Sequence, residues 1–239
     1  MIRVMVTIDA RPTSVEIDLR RAAVLVIDMQ NDFGSPGGMF DRAGIDISGI
    51  DAAATRTRPV LQAAREAEIP VVYLKMEHAP DLSDAGPAEG PHWVKHQPLG
   101  VGDTVLAPDG SESRTLIRGG WGAEILAELA PEPTDLIVSK HRYSGFFETR
   151  LHELLADIDA THLLVTGCTT SVCVESTVRD AMFRDYSCIV LEDCTAEPIG
   201  AGFPRTNHEA SLLVIETLFG WVSNSHAALE ALARRAQLA

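Results

Sequence analysis

Short runs of continuous apolar residues recur along this chain, and they constrain its fold more than any other feature. Ala22-Ala23-Val24-Leu25-Val26-Ile27 is the first, followed by Pro70-Val71-Val72-Tyr73-Leu74 and Asp135-Leu136-Ile137-Val138. His162-Leu163-Leu164-Val165-Thr166 and Ser187-Cys188-Ile189-Val190-Leu191 continue the series, and Leu212-Leu213-Val214-Ile215 is a weaker candidate that also fits a helix. Runs this short, without polar alternation, imply strands buried on both faces, as in a parallel sheet. Helical spacing lies between them, over 52–68, 124–129, 149–155, 174–185 and 226–238. Strands alternating with helices predict a three-layer α/β fold: an open sheet of about six parallel strands with helices on both faces.

No repeat or composition break divides the chain, so its 239 residues are expected to form a single domain over 1–239. The segment from Glu77 to Gly120 is rich in Pro, Gly, Asp and Ser and has no clear period. A loop of that length inside a compact domain is usually a lid or a binding loop.

Composition removes several classes of function. The net charge of −14 comes without any Lys/Arg cluster, which argues against a nucleic-acid or anionic-membrane partner. No signal-peptide pattern opens the sequence and no apolar run reaches the length of a membrane span, so a cytoplasmic protein is expected. The four cysteines, Cys168, Cys173, Cys188 and Cys194, form no C-x-x-C pair and read as free thiols rather than a zinc site or disulfide framework. Phosphate-loop and dinucleotide fingerprints are absent, so no nucleotide cofactor is implied.

Ligands of open α/β sheets bind beyond the carboxyl ends of the strands. Asp28 ends the first predicted strand, Lys140 ends the third, and Cys173 follows the fourth where a helical pattern begins. A helix N-terminus favours a thiolate, and a thiolate is a strong nucleophile. A carboxylate to take the thiol proton and an ammonium to support the sulfur complete what covalent amide hydrolysis needs. Each residue alone has a plainer reading: a buried apolar cysteine, a turn aspartate, a solvated lysine.

These residues sit in specific motifs. Ile27-Asp28-Met29-Gln30-Asn31-Asp32-Phe33, Lys140 after a middle strand, and Gly167-Cys168-Thr169-Thr170-Ser171-Val172-Cys173-Val174-Glu175-Ser176-Thr177 resemble the isochorismatase-like cysteine hydrolase superfamily. The resemblance implies a six-stranded parallel sheet and a catalytic triad of Asp28, Lys140 and Cys173. It also implies a cis peptide at Cys168–Thr169, which aims the Thr169 and Cys173 backbone N–H groups at one point as an oxyanion hole. Removing one such donor typically costs about 2.7–4 kcal/mol of barrier.

Within the superfamily, the blocks 35–38, 142–147, 173–180 and 216–223 resemble ureidoacrylate amidohydrolases of pyrimidine breakdown. The blocks 77–82, 191–194 and 222–225 resemble biuret hydrolases as much. The implied activity is cysteine-dependent amidohydrolysis of a small ureido or carbamoyl compound of the ureidoacrylate type, through a thioester acyl-enzyme. Biuret or N-carbamoyl amino acids are alternative substrates, and a non-catalytic binding or scaffold domain is the alternative from another class. The resemblance further implies a homo-oligomer, dimer or tetramer. Nicotinamidases of the superfamily bind a metal through an Asp-x-His-x-x-x-x-His type segment. That spacing is absent around His78, His92 and His96, so no metal and no other cofactor are expected. Phe33, His78, Trp93, Tyr143 and Phe146 are the candidate substrate-binding residues.

Overall fold

The computed structural model describes residues 3–200 and 206–236. Its strands are β1 (Met5–Ile8), β2 (Val15–Asp18), β3 (Ala22–Ile27), β4 (Val71–Met76), β5 (Thr104–Leu106), β6 (Glu112–Arg114), β7 (Leu136–Lys140), β8 (His162–Cys168), β9 (Ser187–Ala196) and β10 (Trp221–Ser223). The α-helices are α1 (Asn31–Gly34), α2 (Met39–Arg42), α3 (Ser48–Glu66), α4 (Pro91–His96), α5 (Leu151–Asp157), α6 (Glu175–Met182), α7 (Asn207–Val214) and α8 (Ser225–Ala236).

Six strands form one parallel sheet in the order β10-β9-β8-β3-β4-β7. All six residues of β3 are buried, and the two-residue period of a strand sends them to opposite faces. Val24 and Val26 join a core with α3 and α8. Ala23, Leu25 and Ile27 join another with Leu151 and Leu155 of α5 and Val178 and Ala181 of α6. Continuous apolar character therefore records burial on both faces, as the sequence implies. The strand order reverses between β3 and β8, which opens a crevice at their carboxyl ends.

Three local expectations change. Leu212–Val214 is helical, and the sixth strand is Trp221–Ser223, paired with Ile189–Leu191. A capping box decides this: the Thr206 hydroxyl accepts from the Glu209 N–H, and the Glu209 carboxylate accepts from the Thr206 N–H. Residues 124–129 form no α-helix, because their backbone pairs elsewhere: Asn31 N–H donates to Glu124 O and Leu126 N–H to Met29 O. The segment 77–120 is ordered around α4 and a β5–β6 hairpin. Buried Asp32 ties it down, its carboxylate accepting from Met39 N–H at 3.0 Å and Leu116 N–H at 2.7 Å. The final helix is described to Ala236; residues 237–238 of the expected helix lie outside the described residues.

Candidate active site

Close approach of β3 and β8 builds one wall of the site. Gly167 pairs with Ile27 at φ +124°, and a Cβ there would stand 2.1 Å from the Ile27 carbonyl oxygen. Only glycine fits such a contact. The chain then passes through a cis peptide at Cys168–Thr169, the bond the resemblance points to. Next comes a π-helical turn, Thr170–Val174, which carries Cys173 into α6. Cys173 thus sits within a widened turn, not at the first residue of a regular α-helix. The Thr169 carbonyl accepts from Val172 N–H at 3.1 Å and Val174 N–H at 3.2 Å, on either side of the Cys173 N–H. Glu197 holds the turn from β9's end, accepting from the Ser171 N–H at 2.9 Å and its hydroxyl at 2.5 Å. Thr177 holds it from α6, donating to Cys173 O at 2.7 Å and accepting from Gly145 N–H at 3.0 Å.

Asp28 follows β3 in the left-handed region at φ +53°, which Asp tolerates better than most residues. Lys140 ends β7, two strands away, and its side chain reaches across the end of β4. Its ammonium donates to Asp28 Oδ2 at 2.6 Å and to Arg142 O at 3.1 Å. Asp28 and Lys140 are each 1% exposed, so this ion pair is shielded from water and from salt. Asp28 Oδ1 is buried without a hydrogen-bond partner, and the Cys173 thiol lies close enough to couple to both charged groups. The three predicted reactive residues therefore meet.

Burial sets the charges. It pushes the Cys173 thiol far above its ordinary value, outweighing the attraction of Lys140. Burial also raises the Asp28 carboxyl, with Lys140 pulling the other way. Burial alone would lower Lys140, but Asp28 and Cys173 outweigh it and hold its ammonium above the ordinary value. Burial thus favours a neutral thiol beside the hydrogen-bonded Asp28–Lys140 pair. A helix N-terminus favours a thiolate, but burial opposes it here, and Asp28, the expected acceptor of the thiol proton, lies close enough to the sulfur to couple to it.

A cavity of about 110 Å3 opens onto Asp28, Cys173, Cys168 and Thr169. Of the expected substrate-binding residues, Phe33 and Tyr143 line it. His78, Trp93 and Phe146 do not. His78 is 1% exposed and bonds Asp84 at 3.0 Å, with its Nε2 sealed in protein. Trp93 packs on the core of the α3 face. Phe146 is buried against the Tyr186 ring at 5.9 Å under Arg184. Met39 and Phe40 of α2, with His96, Leu99 and Leu116 from the 77–120 segment, complete much of the wall. Among the described residues no group of His, Cys, Asp or Glu converges as metal ligands. The His92 and His96 rings stack at 4.0 Å instead, and burial lowers His92 to about 3.

Two further residues of the Ile27–Phe33 motif support the site. Gln30, fully buried, donates to Met76 O and Ala123 O and accepts from Met76 N–H, locking β3's end to β4. Asp32 anchors the 77–120 segment as described above. A buried amide and carboxylate so soon after Asp28 were the available signal, because buried polar groups need partners.

The family description Isochorismatase domain matches residues 22–227. This chain belongs to the isochorismatase family. Among curated relatives, ureidoacrylate amidohydrolase RutB of Caulobacter segnis is 41% identical over 92% of this chain and 89% of its own. RutB of Methylobacterium radiotolerans is 40% identical over 92% of this chain and 82% of its own. Among solved structures, a cysteine hydrolase from Pseudomonas syringae pv. phaseolicola superposes with a TM-score of 0.76 at 29% identity, covering 92% of this chain and 95% of that one. The six-stranded parallel sheet flanked by helices is the fold of these isochorismatase-like neighbours.

Proposed function

We propose that this protein is a cysteine-dependent amidohydrolase that cleaves a C–N bond of a small ureido compound, R–NH–CO–NH2. The observation that carries the reading is the buried Asp28–Lys140–Cys173 cluster at the floor of a small cavity. The curated relatives' name supports the substrate class. Asp28 takes the thiol proton as the sulfur attacks the carbonyl carbon. Lys140 keeps one positive charge beside whichever of the two groups is anionic, so no net charge is buried as the proton moves. The N–H groups of Thr169 and Cys173 receive the oxyanion. The C–N bond to the terminal nitrogen then breaks, and Asp28 returns the proton so that ammonia departs. Water, with Asp28 as base, attacks the R–NH–CO–S thioester. The thiol is released with the carbamate R–NH–COOH.

The proposal keeps 1–239 as one domain and a homo-oligomer in the cytoplasm. Phe183 and Leu218, 68% and 64% exposed, support a surface of association. Among the described residues no helix is long and apolar enough to cross a membrane.

Ammonia release from ureidoacrylate, biuret, an N-carbamoyl amino acid and nicotinamide tests the reading. At least one ureido or carbamoyl compound should be turned over, with nicotinamide the poorest of the four. Turnover of nicotinamide alone, or of none, would refute it.

A further inference from the structure

The polar side chains in the cavity wall outside the Asp28–Lys140–Cys173 cluster are few. Among the described lining residues they are His96, Tyr143, Thr169 and Cys168, and the Cys168 thiol is spent on Asp28 O at 3.1 Å. His96 differs from the hydroxyl residues in having a fixed hydrogen-bonding sense. Its Nδ1 lies 2.7 Å from the His92 carbonyl oxygen. A carbonyl only accepts, so Nδ1 carries a proton, and a neutral ring then presents a bare lone pair at Nε2. Burial holds the ring neutral, with Arg142 and Lys140 acting in the same direction against the His92 bond.

The orientation of that ring is also held. His96 stacks on His92 at 4.0 Å and packs against Tyr143 at 5.5 Å. Among the described residues, the Nε2 atoms of His78 and His92 are sealed in protein without partners, whereas His96 Nε2 is not among the sealed atoms and has no hydrogen-bond partner there. Nδ1 is turned to the backbone, and His96 is one of the residues that line the cavity.

We infer that His96 Nε2 accepts the N–H of the ureido nitrogen that stays on the carbonyl carbon, and so selects ureides over simple amides. The inference rests on the ureido amidohydrolase reading above and deepens it. The carbonyl carbon has three substituents to place. Its oxygen goes to the backbone N–H groups of Thr169 and Cys173, and its leaving nitrogen faces Asp28, which must protonate it. The retained N–H then points toward the remaining wall, where His96 supplies an acceptor among apolar neighbours such as Leu99 and Leu116. A plain amide has CH2 at that place and would leave Nε2 desolvated and unpaired.

The test compares each ureide with its carbon isostere: biuret with malonamide, and ureidoacrylate with glutaconic acid monoamide. Ammonia release gives kcat/KM for wild type, His96→Leu and His96→Gln. Intrinsic differences between ureas and amides cancel when the ureide-to-amide ratio is compared between variants. His96→Leu should lower that ratio roughly thirtyfold, through the ureide, and His96→Gln, which offers a carbonyl acceptor, should recover about a third of the loss or more on a logarithmic scale. A ratio that moves less than about threefold in His96→Leu, including equal losses on both compounds, overturns the inference. So does a glutamine variant no better than leucine. Failure of the parent reading shows separately, as a wild-type enzyme that releases ammonia from no ureido or carbamoyl compound; the inference falls with it.

Discussion

Cys173→Ala is expected to lower turnover of the protein's ureido substrate by about 10,000-fold or more, while substrate still binds. The sulfur is the only group at the floor of the cavity placed between a carboxylate and an ammonium, among the described residues. Removing it leaves Asp28 and Lys140 paired at 2.6 Å and leaves the fold's cores nearly intact. The thermal midpoint should therefore shift by only about 2–4 °C, the size expected for roughly 1 kcal/mol in a chain of this length. Cys168→Ala is the matched control. Cys168 is also buried and borders the same cavity, but its thiol donates to the Asp28 carbonyl. Activity in that variant should stay within about tenfold of wild type. Steady-state kinetics and calorimetry on both proteins decide the matter. Appreciable turnover in purified Cys173→Ala would remove the covalent mechanism.

The acid limb of kcat/KM in the wild type belongs to the same argument. Asp28 must be ionised to take the thiol proton. Burial raises its carboxyl above the ordinary 3.8, so activity should fall on acidification at a pH above that value. In the sequence Asp28 is already the expected acceptor of the thiol proton, and the burial that holds the Cys173 thiol above its ordinary value makes that step necessary, because an ionised sulfur would need a compensating charge that Lys140 already gives to Asp28.

What was legible beforehand follows from periodicity and from strand ends. β3, β4, β7, β8 and β9 each announce themselves as continuous apolar runs, and three of them deliver Asp28, Lys140 and Cys173 to one edge. The sixth strand, Trp221–Ser223, is a three-residue edge strand, too short to show a period. The capping signal Thr206-Asn207-His208-Glu209 was present in the sequence and marks the helix that replaced the strand candidate at Leu212. Side-chain direction does not follow from such patterns. His78, Trp93 and Phe146 lie near the right segments, but each turns into protein rather than into the cavity. His96 reaches the cavity because Asp32, far away in sequence, pins the backbone at Leu116 and folds the 77–120 segment over the sheet edge. No local pattern encodes such a tie.

Lys140→Met should cost both activity and stability, which separates Lys140 from Cys173. The substitution conserves shape but leaves Asp28 buried without its counter-charge and the Arg142 carbonyl without a donor. Breaking a buried ion pair on one side typically destabilises by about 3–5 kcal/mol, or on the order of 10 °C in a chain of this size. The sign of its pH dependence is fixed. Lys140 normally pulls the Asp28 carboxyl down against the burial that raises it, so losing Lys140 moves the folded-state value further above 3.8. Below about 3.8 both folded and unfolded states hold the proton, and the electrostatic part of the deficit vanishes. As pH rises, wild type and variant lose stability together until the wild-type Asp28 ionises; above that pH the variant's native Asp28 still holds its proton, so the deficit grows until it too ionises. Asp28→Asn in the same chain removes the stranded charge and should recover most of the lost stability without restoring turnover. Denaturant titrations of the single and double variants between pH 4 and 8 measure this directly. A deficit independent of pH, or a double variant no more stable than Lys140→Met, would mean that Lys140 acts by packing rather than by holding the Asp28 charge.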